Sequence, residues 1–338
     1  MKGMADTSIP MRLVMGDRYY QELLTKIPRA QKRIVLAAMN VLSGPQTDRV
    51  FHLLQEAAER GVPVQVLVDN YTRLLFIHPP SADRSARLRV QHTFEALTRL
   101  EQADASVYYF GKVRVLNPFK GRCHVKITVI DDDFYSFGGV NFTDESFKHV
   151  DFMLGGHHAG VAKRLAQLVE RIGTIQPPLP DDDIAVSATQ HLLFDGGGPG
   201  DSIIYEQACE LAAQAQRSYY VSQMVPSGQL AHLLSEAGGQ TTCYFNQPHQ
   251  MRAPARYGQA FDQQRHRIRN SYHGQHFIHA KFMLFELPGG HKALISGSNN
   301  FSYRGIAYGT QEVALYSTDE DLWQQLFDFL QRHVAKER

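Results

Sequence analysis

Cysteine is scarce: three in 338 residues, at positions 123, 209 and 243. The odd number and wide scatter argue against a disulfide framework, and neither spacing nor neighbours suit a metal site. Reduced thiols in a cytoplasmic chain are the expectation. Long hydrophobic runs are also missing. The best candidate, residues 34–42, is broken by Asn40 and falls short of the roughly 20 residues that cross a bilayer. No signal-peptide pattern follows Lys2. Nor is there an excess of one charge: 35 Lys and Arg stand against 34 Asp and Glu, a net charge of +1. Affinity from bulk positive charge is thereby excluded, and any contact with nucleic acid or anionic lipid has to be local. With 43% hydrophobic residues, the chain has enough apolar material for two buried cores.

What the chain does have is a repeat. Gly16-Asp17 opens a helical pattern that leads through Ala30-Gln31-Lys32 into the apolar run 34–39. Gly200-Asp201 opens the same order again, through Ala215-Gln216-Arg217 into 219–224. A second helix and strand follow in both copies, at 50–60 with 62–68 and at 229–237 with 241–245. Each copy closes on a strand pair and a helix, near 161–172 and 322–334. A Pro- and Asp-rich segment, 176–183, suits a linker. The expectation is an α/β protein of two pseudo-symmetric halves, residues 1–178 and 179–338, each a mixed sheet flanked by helices.

The repeat also carries chemistry. His124-Val125-Lys126 heads an apolar run ending at Asp131, and Gly138-Gly139-Val140-Asn141 follows. His279-Ala280-Lys281 heads a second run ending at Glu286, followed by Gly297-Ser298-Asn299-Asn300. In a strand, residues two apart share a face, so each imidazole and ammonium project together. Small residues at Gly139 and Ser298 let a ligand approach the backbone, and Asn141 and Asn300 add amide donors. Phosphodiester cleavage needs a nucleophile, a proton donor for the leaving oxygen, and fixed positive charge on the non-bridging oxygens. One His-Lys pair supplies half of that equipment; two facing pairs supply all of it, so one chain suffices for a complete site.

The duplicated H-x-K-x4-D pattern with a downstream G-(G/S)-x-N resembles the phospholipase D superfamily over nearly the whole chain. The segment from Gly138 to Glu145, GGVNFTDE, resembles bacterial cardiolipin synthases. That resemblance implies transfer of a phosphatidyl group through a phosphohistidine without a metal or other cofactor. It implies His124 as nucleophile and His279 as general acid, with Asp131 and its counterpart Glu286 supporting the site. Glu286 departs from the pattern, which has Asp there, and the extra residues after it suggest a longer hairpin turn. A carboxylate downstream of each motif, Asp151 and Glu312, is expected to fix the tautomer of the histidine in its own half: Asp151 for His124, Glu312 for His279.

Basic stretches precede both motifs: residues 112–122, with Lys120 and Arg122 as candidate substrate contacts, and 252–269, with Arg252, Arg256, Arg265, Arg267 and Arg269. Both would offer a positive rim to an anionic phosphodiester. An apolar stretch at 74–80 is a candidate for dipping into a lipid surface. The expected substrate is a glycerophospholipid resembling phosphatidylglycerol, met peripherally at an anionic membrane surface. A nuclease of the same superfamily, or a non-catalytic member binding lipid or nucleic acid, is the alternative.

Overall fold

The computed structural model of the chain describes residues 8–75, 84–113, 117–237, 240–251 and 255–336. Arg114, Arg252 and residues 76–80 of the apolar stretch lie outside the described residues. The first half contributes β1 (Met11–Met15), β2 (Ile34–Ala38), β3 (Val64–Asp69), β4 (Ser106–Phe110), β5 (Ile127–Ile130), β6 (Asp133–Ser136) and β7 (Phe152–His157). Its helices are α1 (Gly16–Lys26), α2 (Pro45–Glu59), α3 (Arg84–Gln102) and α4 (Ala159–Thr174). From the second half come β8 (Asp182–Ala185), β9 (Gln190–Asp195), β10 (Arg217–Ser222), β11 (Thr241–Phe245), β12 (Phe282–Glu286), β13 (Lys292–Gly297) and β14 (Glu312–Ser317). Its helices are α5 (Ile203–Gln214), α6 (Gly228–Glu236), α7 (Ala255–His266), the short α8 (Tyr303–Ala307) and α9 (Glu320–Phe329).

The strands form two seven-stranded sheets, ordered β1-β7-β6-β5-β2-β3-β4 and β11-β10-β12-β13-β14-β9-β8. Reversing the second list superposes six strands: β1 on β9, β7 on β14, β6 on β13, β5 on β12, β2 on β10 and β3 on β11. Each sheet then adds one edge strand of its own, β4 or β8. Helical crossovers make β2–β3 and β10–β11 parallel, while the motif strands pair antiparallel with their neighbours. The sheets are therefore mixed, as the sequence suggested. The hairpin from β12 to β13 is lengthened at 287–291, closed by Leu287 N–H donating to His291 O at 2.7 Å.

The halves join through a shared core. Apolar faces of α4 (Val161, Leu165, Val169) and α9 (Leu322, Leu326, Phe329) are buried between the inner faces of both sheets. Phe152 of β7 meets Phe282 of β12 and Phe329 of α9, with ring centroids 5.8 and 5.0 Å apart. Separate outer cores hold α1 and α2 on one side and α5 and α6 on the other. Burial on both faces explains why β2 and β5 read as continuous apolar runs without alternation. Three local departures from the sequence pattern have simple causes. Helix α2 starts at Pro45, five positions before its apolar periodicity, because Gly44-Pro45 is an N-terminal signal. The segment read as a linker is already partly structural: Leu179 is buried, and β8 begins at Asp182. Each H-x-K lies just ahead of its strand, since β5 starts at Ile127 and β12 at Phe282. The three cysteines are free and buried.

Candidate active site

Val125 and Ala280 point into the shared core, so the flanking His124 and Lys126, and His279 and Lys281, turn to the opposite side of an extended chain. These lead-in segments pair with the other half. Cys123 bridges Gln311, with His124 N–H donating to Gln311 O and Gln311 N–H to Arg122 O, both at 2.8 Å. Ile278 bridges Val150, with Val150 N–H donating to Phe277 O at 3.2 Å and His279 N–H to Val150 O at 3.0 Å. Residues 311 and 150 immediately precede the two carboxylates. Each carboxylate is thus delivered to the histidine of the opposite half.

The expected pairing is therefore corrected. His124 Nδ1 lies 3.0 and 3.1 Å from the two oxygens of Glu312, and His279 Nδ1 lies 2.7 Å from Asp151 Oδ2. The physical reason is the cross-half ladder, which the within-half spacing of motif and acid does not reveal. Both carboxyls are held below their usual range. Burial pushes them up, but His279 and Lys281 outweigh it at Asp151, and His124, Lys126 and Ser298 outweigh it at Glu312. An ionised carboxylate only accepts, so each Nδ1 donates and Nε2 keeps the lone pair. Burial lowers both imidazoles, with the nearby lysine charges adding to it, His279 to about 3.

The lysines are equally buried. Lys126 Nζ donates to His124 O at 2.6 Å, and Lys281 Nζ donates to His279 O. Burial brings Lys126 down to about 7 and Lys281 to about 8, against the opposing pull of the carboxylates. The charge of Lys281 is felt at His124 and that of Lys126 at His279, which brings all six groups into one electrostatic cluster.

Gly139 and Ser298, read as substrate contacts, are turned to the carboxylates. Gly139 N–H donates to Asp151 Oδ1 at 3.1 Å, and a Cβ there would sit 2.5 Å from His279 O. Ser298 Oγ donates to Glu312, and Val313 N–H donates to Ser298 Oγ at 3.0 Å. Both residues orient an imidazole–carboxylate pair. Asn141 is buried, its Oδ1 accepting from Asn40 N–H at 3.3 Å. The buried Oδ1 of Asn300 has no hydrogen-bond partner among the described residues.

Asp131 and Glu286 lie at the far ends of β5 and β12, separated from the motif lysines by roughly 16 Å of extended chain. Asp131 accepts from Gln31, Lys32 and Arg33 N–H, the last three residues before β2. Glu286 pairs with Arg217 at 3.2 Å. Both fasten the sheet end and are remote from the reacting groups.

Lys120 is exposed on the approach to the site, but Arg122 is buried. Its Nη1 lies 3.0 Å from Asp69 Oδ1, and its other nitrogens donate to Pro118 O and Lys112 O. Asp69 Oδ2 also accepts from Cys123 N–H at 2.7 Å, so this ion pair anchors the loop that presents His124. Arg122 is thus a strut, corrected from a substrate contact. Arg122→Met is expected to lower stability by about 3–5 kcal/mol, because Asp69 is left buried and uncompensated. Thermal unfolding reads this directly; an unchanged Tm with a fall in kcat/KM would return Arg122 to the substrate.

Two neighbours escaped the sequence reading. His149 packs its ring 5.8 Å from His279, with Phe277 stacked on the same imidazole at 6.3 Å. The signal was present: His149 stands two residues before Asp151 and so shares its side of an extended chain. Among the described residues, no group of three or more His, Cys, Asp and Glu side chains is gathered as a metal site.

Residues 23–172 match the family described as cardiolipin synthase, PLD-like domain. Cardiolipin synthase B of Salmonella typhi is 30% identical over 137 residues, covering 38% of this chain and 29% of that protein. Cardiolipin synthase A of Escherichia coli O157:H7 is 25% identical over 249 residues, covering 66% of this chain and 48% of that protein. The chain therefore spans less than half the length of these curated relatives. The fold is shared with the crystal structure of phosphatidylserine synthase from Haemophilus influenzae, at 14% identity and a TM-score of 0.69, covering 96% of this chain and 86% of that one. Residues 23–172 thus match a PLD-like domain, and the chain as a whole, with its duplicated motif and the six strands that superpose between its sheets, resembles the cardiolipin synthases.

Proposed function

We propose that the chain transfers the phosphatidyl group of a glycerophospholipid through a phosphohistidine on His124. The observation that carries this reading is the crossed pair of imidazole–carboxylate contacts, which gives each histidine a fixed tautomer and an available Nε2. In the first step the Nε2 lone pair of His124 attacks phosphorus and the bond from phosphorus to the alcohol oxygen breaks. The proton on His279 Nε2 passes to that oxygen. In the second step an acceptor alcohol or water gives its proton to His279, its oxygen attacks phosphorus, and the P–N bond breaks. Lys126, Lys281, Asn141 and Asn300 hold the charge on the non-bridging oxygens without rearranging.

Charge balance accounts for how His279 is protonated at the start. Below about pH 7, where both lysines keep their charge, two ammonium groups, two carboxylates and two neutral imidazoles sum to zero. A phosphodiester monoanion entering this buried cluster favours uptake of one proton. Because the empty-site lysines lose their charge near pH 7 and 8, anion affinity is expected to fall as pH rises from 7 to 9. The slope is up to about tenfold per pH unit for each proton taken up. Calorimetry of tungstate binding in buffers of different ionisation enthalpy measures both quantities; an affinity flat from pH 6 to 9 contradicts the charge balance.

The functional test is mass spectrometry of lipids after incubation with phosphatidylglycerol vesicles and chelator, with His124→Ala alongside. Cardiolipin or phosphatidic acid formed by wild type alone supports the proposal, and their ratio separates transfer from hydrolysis. Absence of both products, with cleavage of single-stranded DNA instead, overturns it.

A further inference from the structure

We infer that the outer face of α7, with the loops beside it, is a docking surface for an anionic phospholipid bilayer; the inference rests on the lipid reading above. Tyr257 and Phe261 are the most exposed large apolar side chains among the described residues, at 65% and 60%. They stand four residues apart, one turn of the same helix face. Arg256 and Arg265 flank them, also exposed, and Arg267 and Arg269 continue the exposed basic run beyond the helix. The Arg256 guanidinium lies 5.1 Å from the Tyr257 ring centre.

The opposite side of α7 is fastened to the active site. Gln259 is buried and donates to Asn246 O. The Asn246 side chain in turn exchanges two hydrogen bonds with the backbone of Ile278, at 2.7 and 2.8 Å, directly before His279. The other approach carries the same chemistry. Gly121 N–H donates to Tyr308 O at 2.8 Å, joining the loops that lead to His124 and Glu312, and Phe119, Lys120 and Tyr308 are exposed there. Exposed aromatic and cationic side chains thus stand on segments tied to the lead-in of each histidine, in a chain whose net charge is only +1.

Aromatic rings and arginines side by side suit the headgroup level of a membrane, where rings enter the apolar boundary and guanidinium groups meet phosphates. Stacking of nucleic-acid bases calls for rings lining a groove, whereas Tyr257 and Phe261 stand on an outward helix face. Docking by this face would bring the lipid phosphate to the site without extracting the whole lipid.

The test uses co-sedimentation with equimolar phosphatidylglycerol–phosphatidylcholine vesicles and with phosphatidylcholine alone. Two double variants are compared with wild type, Tyr257→Ser/Phe261→Ser and Arg256→Gln/Arg265→Gln. Both are expected to lose at least about tenfold in partition to the mixed vesicles, each cationic side chain contributing about fivefold. Turnover of monomeric short-chain phosphatidylglycerol by Tyr257→Ser/Phe261→Ser should stay within about twofold of wild type, because neither ring belongs to the catalytic or charge-binding groups. Vesicle binding equal to wild type overturns the inference, as does a loss of single-stranded DNA binding in the variants with vesicle binding intact. If wild type fails on monomeric lipid while its vesicle binding still depends on Tyr257 and Phe261, the lipid-turnover reading falls and the docking surface stands.

Discussion

His124→Ala is expected to lower phosphatidyl transfer by about 10⁴–10⁶-fold, the range seen when a covalent nucleophile is removed from a group that acts as a unit. The size of the effect follows from the geometry. Glu312 holds His124 Nδ1 at 3.0 Å, so Nε2 is the nitrogen left to form the bond to phosphorus. Apart from His279, whose Nε2 carries the proton in the proposed order, nothing else in the cluster combines a lone pair with such a position: both carboxylates are engaged by imidazoles, and Lys126 and Lys281 are turned to backbone carbonyls. The side chain of His124 is only 12% exposed, so its loss also leaves Glu312 buried opposite a void. Unfolding should therefore be measured beside turnover. A variant that unfolds near the wild-type temperature and retains more than about a tenth of wild-type turnover contradicts the nucleophile assignment.

The second large effect concerns the acids. Glu312→Gln and Asp151→Asn are each expected to lower turnover by about 10²–10⁴-fold, because an amide neither fixes the donating Nδ1 tautomer nor stabilises the imidazolium. The crossing makes the prediction specific. Loss of a carboxylate that favours the charged imidazole moves the pKa of its partner further down. Glu312→Gln should move His124 and leave His279 nearly in place; Asp151→Asn should do the reverse. Histidine ring signals followed by NMR as a function of pH decide it. A response of His124 to Asp151→Asn larger than its response to Glu312→Gln would restore the within-half pairing.

These two predictions also mark what was readable in the chain. The duplication and the two H-x-K motifs were legible because they are local: a strand period of two places His and Lys on one side, and the order of elements repeats. The identity of the carboxylates was legible by position, but their assignment was not. It is set by the bridges Cys123–Gln311 and Val150–Ile278, contacts between segments more than a hundred residues apart. Arg122 misled for a similar reason. In a run of Lys and Arg before a motif it reads as rim charge, whereas its partner Asp69 lies at the end of β3, 53 residues earlier, and takes it into the interior. Asp131 and Glu286 belong to the motif as a pattern, yet the length of a strand carries them to the opposite end of the sheet. The exposed face of α7 was visible only as basic residues; that Tyr257 and Phe261 stand outward among them is a matter of which side Gln259 anchors.

The most direct test of the central claim is to trap the intermediate. In His279→Asn the proton donor is gone, so an unactivated alcohol leaves slowly, but p-nitrophenolate needs no proton to depart. With a p-nitrophenyl phosphodiester, the first step should proceed and the second should stall for want of a base. Intact-protein mass spectrometry, quenched at alkaline pH and mapped by peptide, should then show one phosphoryl adduct on His124 released with a burst of p-nitrophenolate. The adduct should be absent from His124→Ala/His279→Asn. An adduct on His279 in the single variant His124→Ala, or a burst without any adduct on His124, would contradict a covalent mechanism centred on His124.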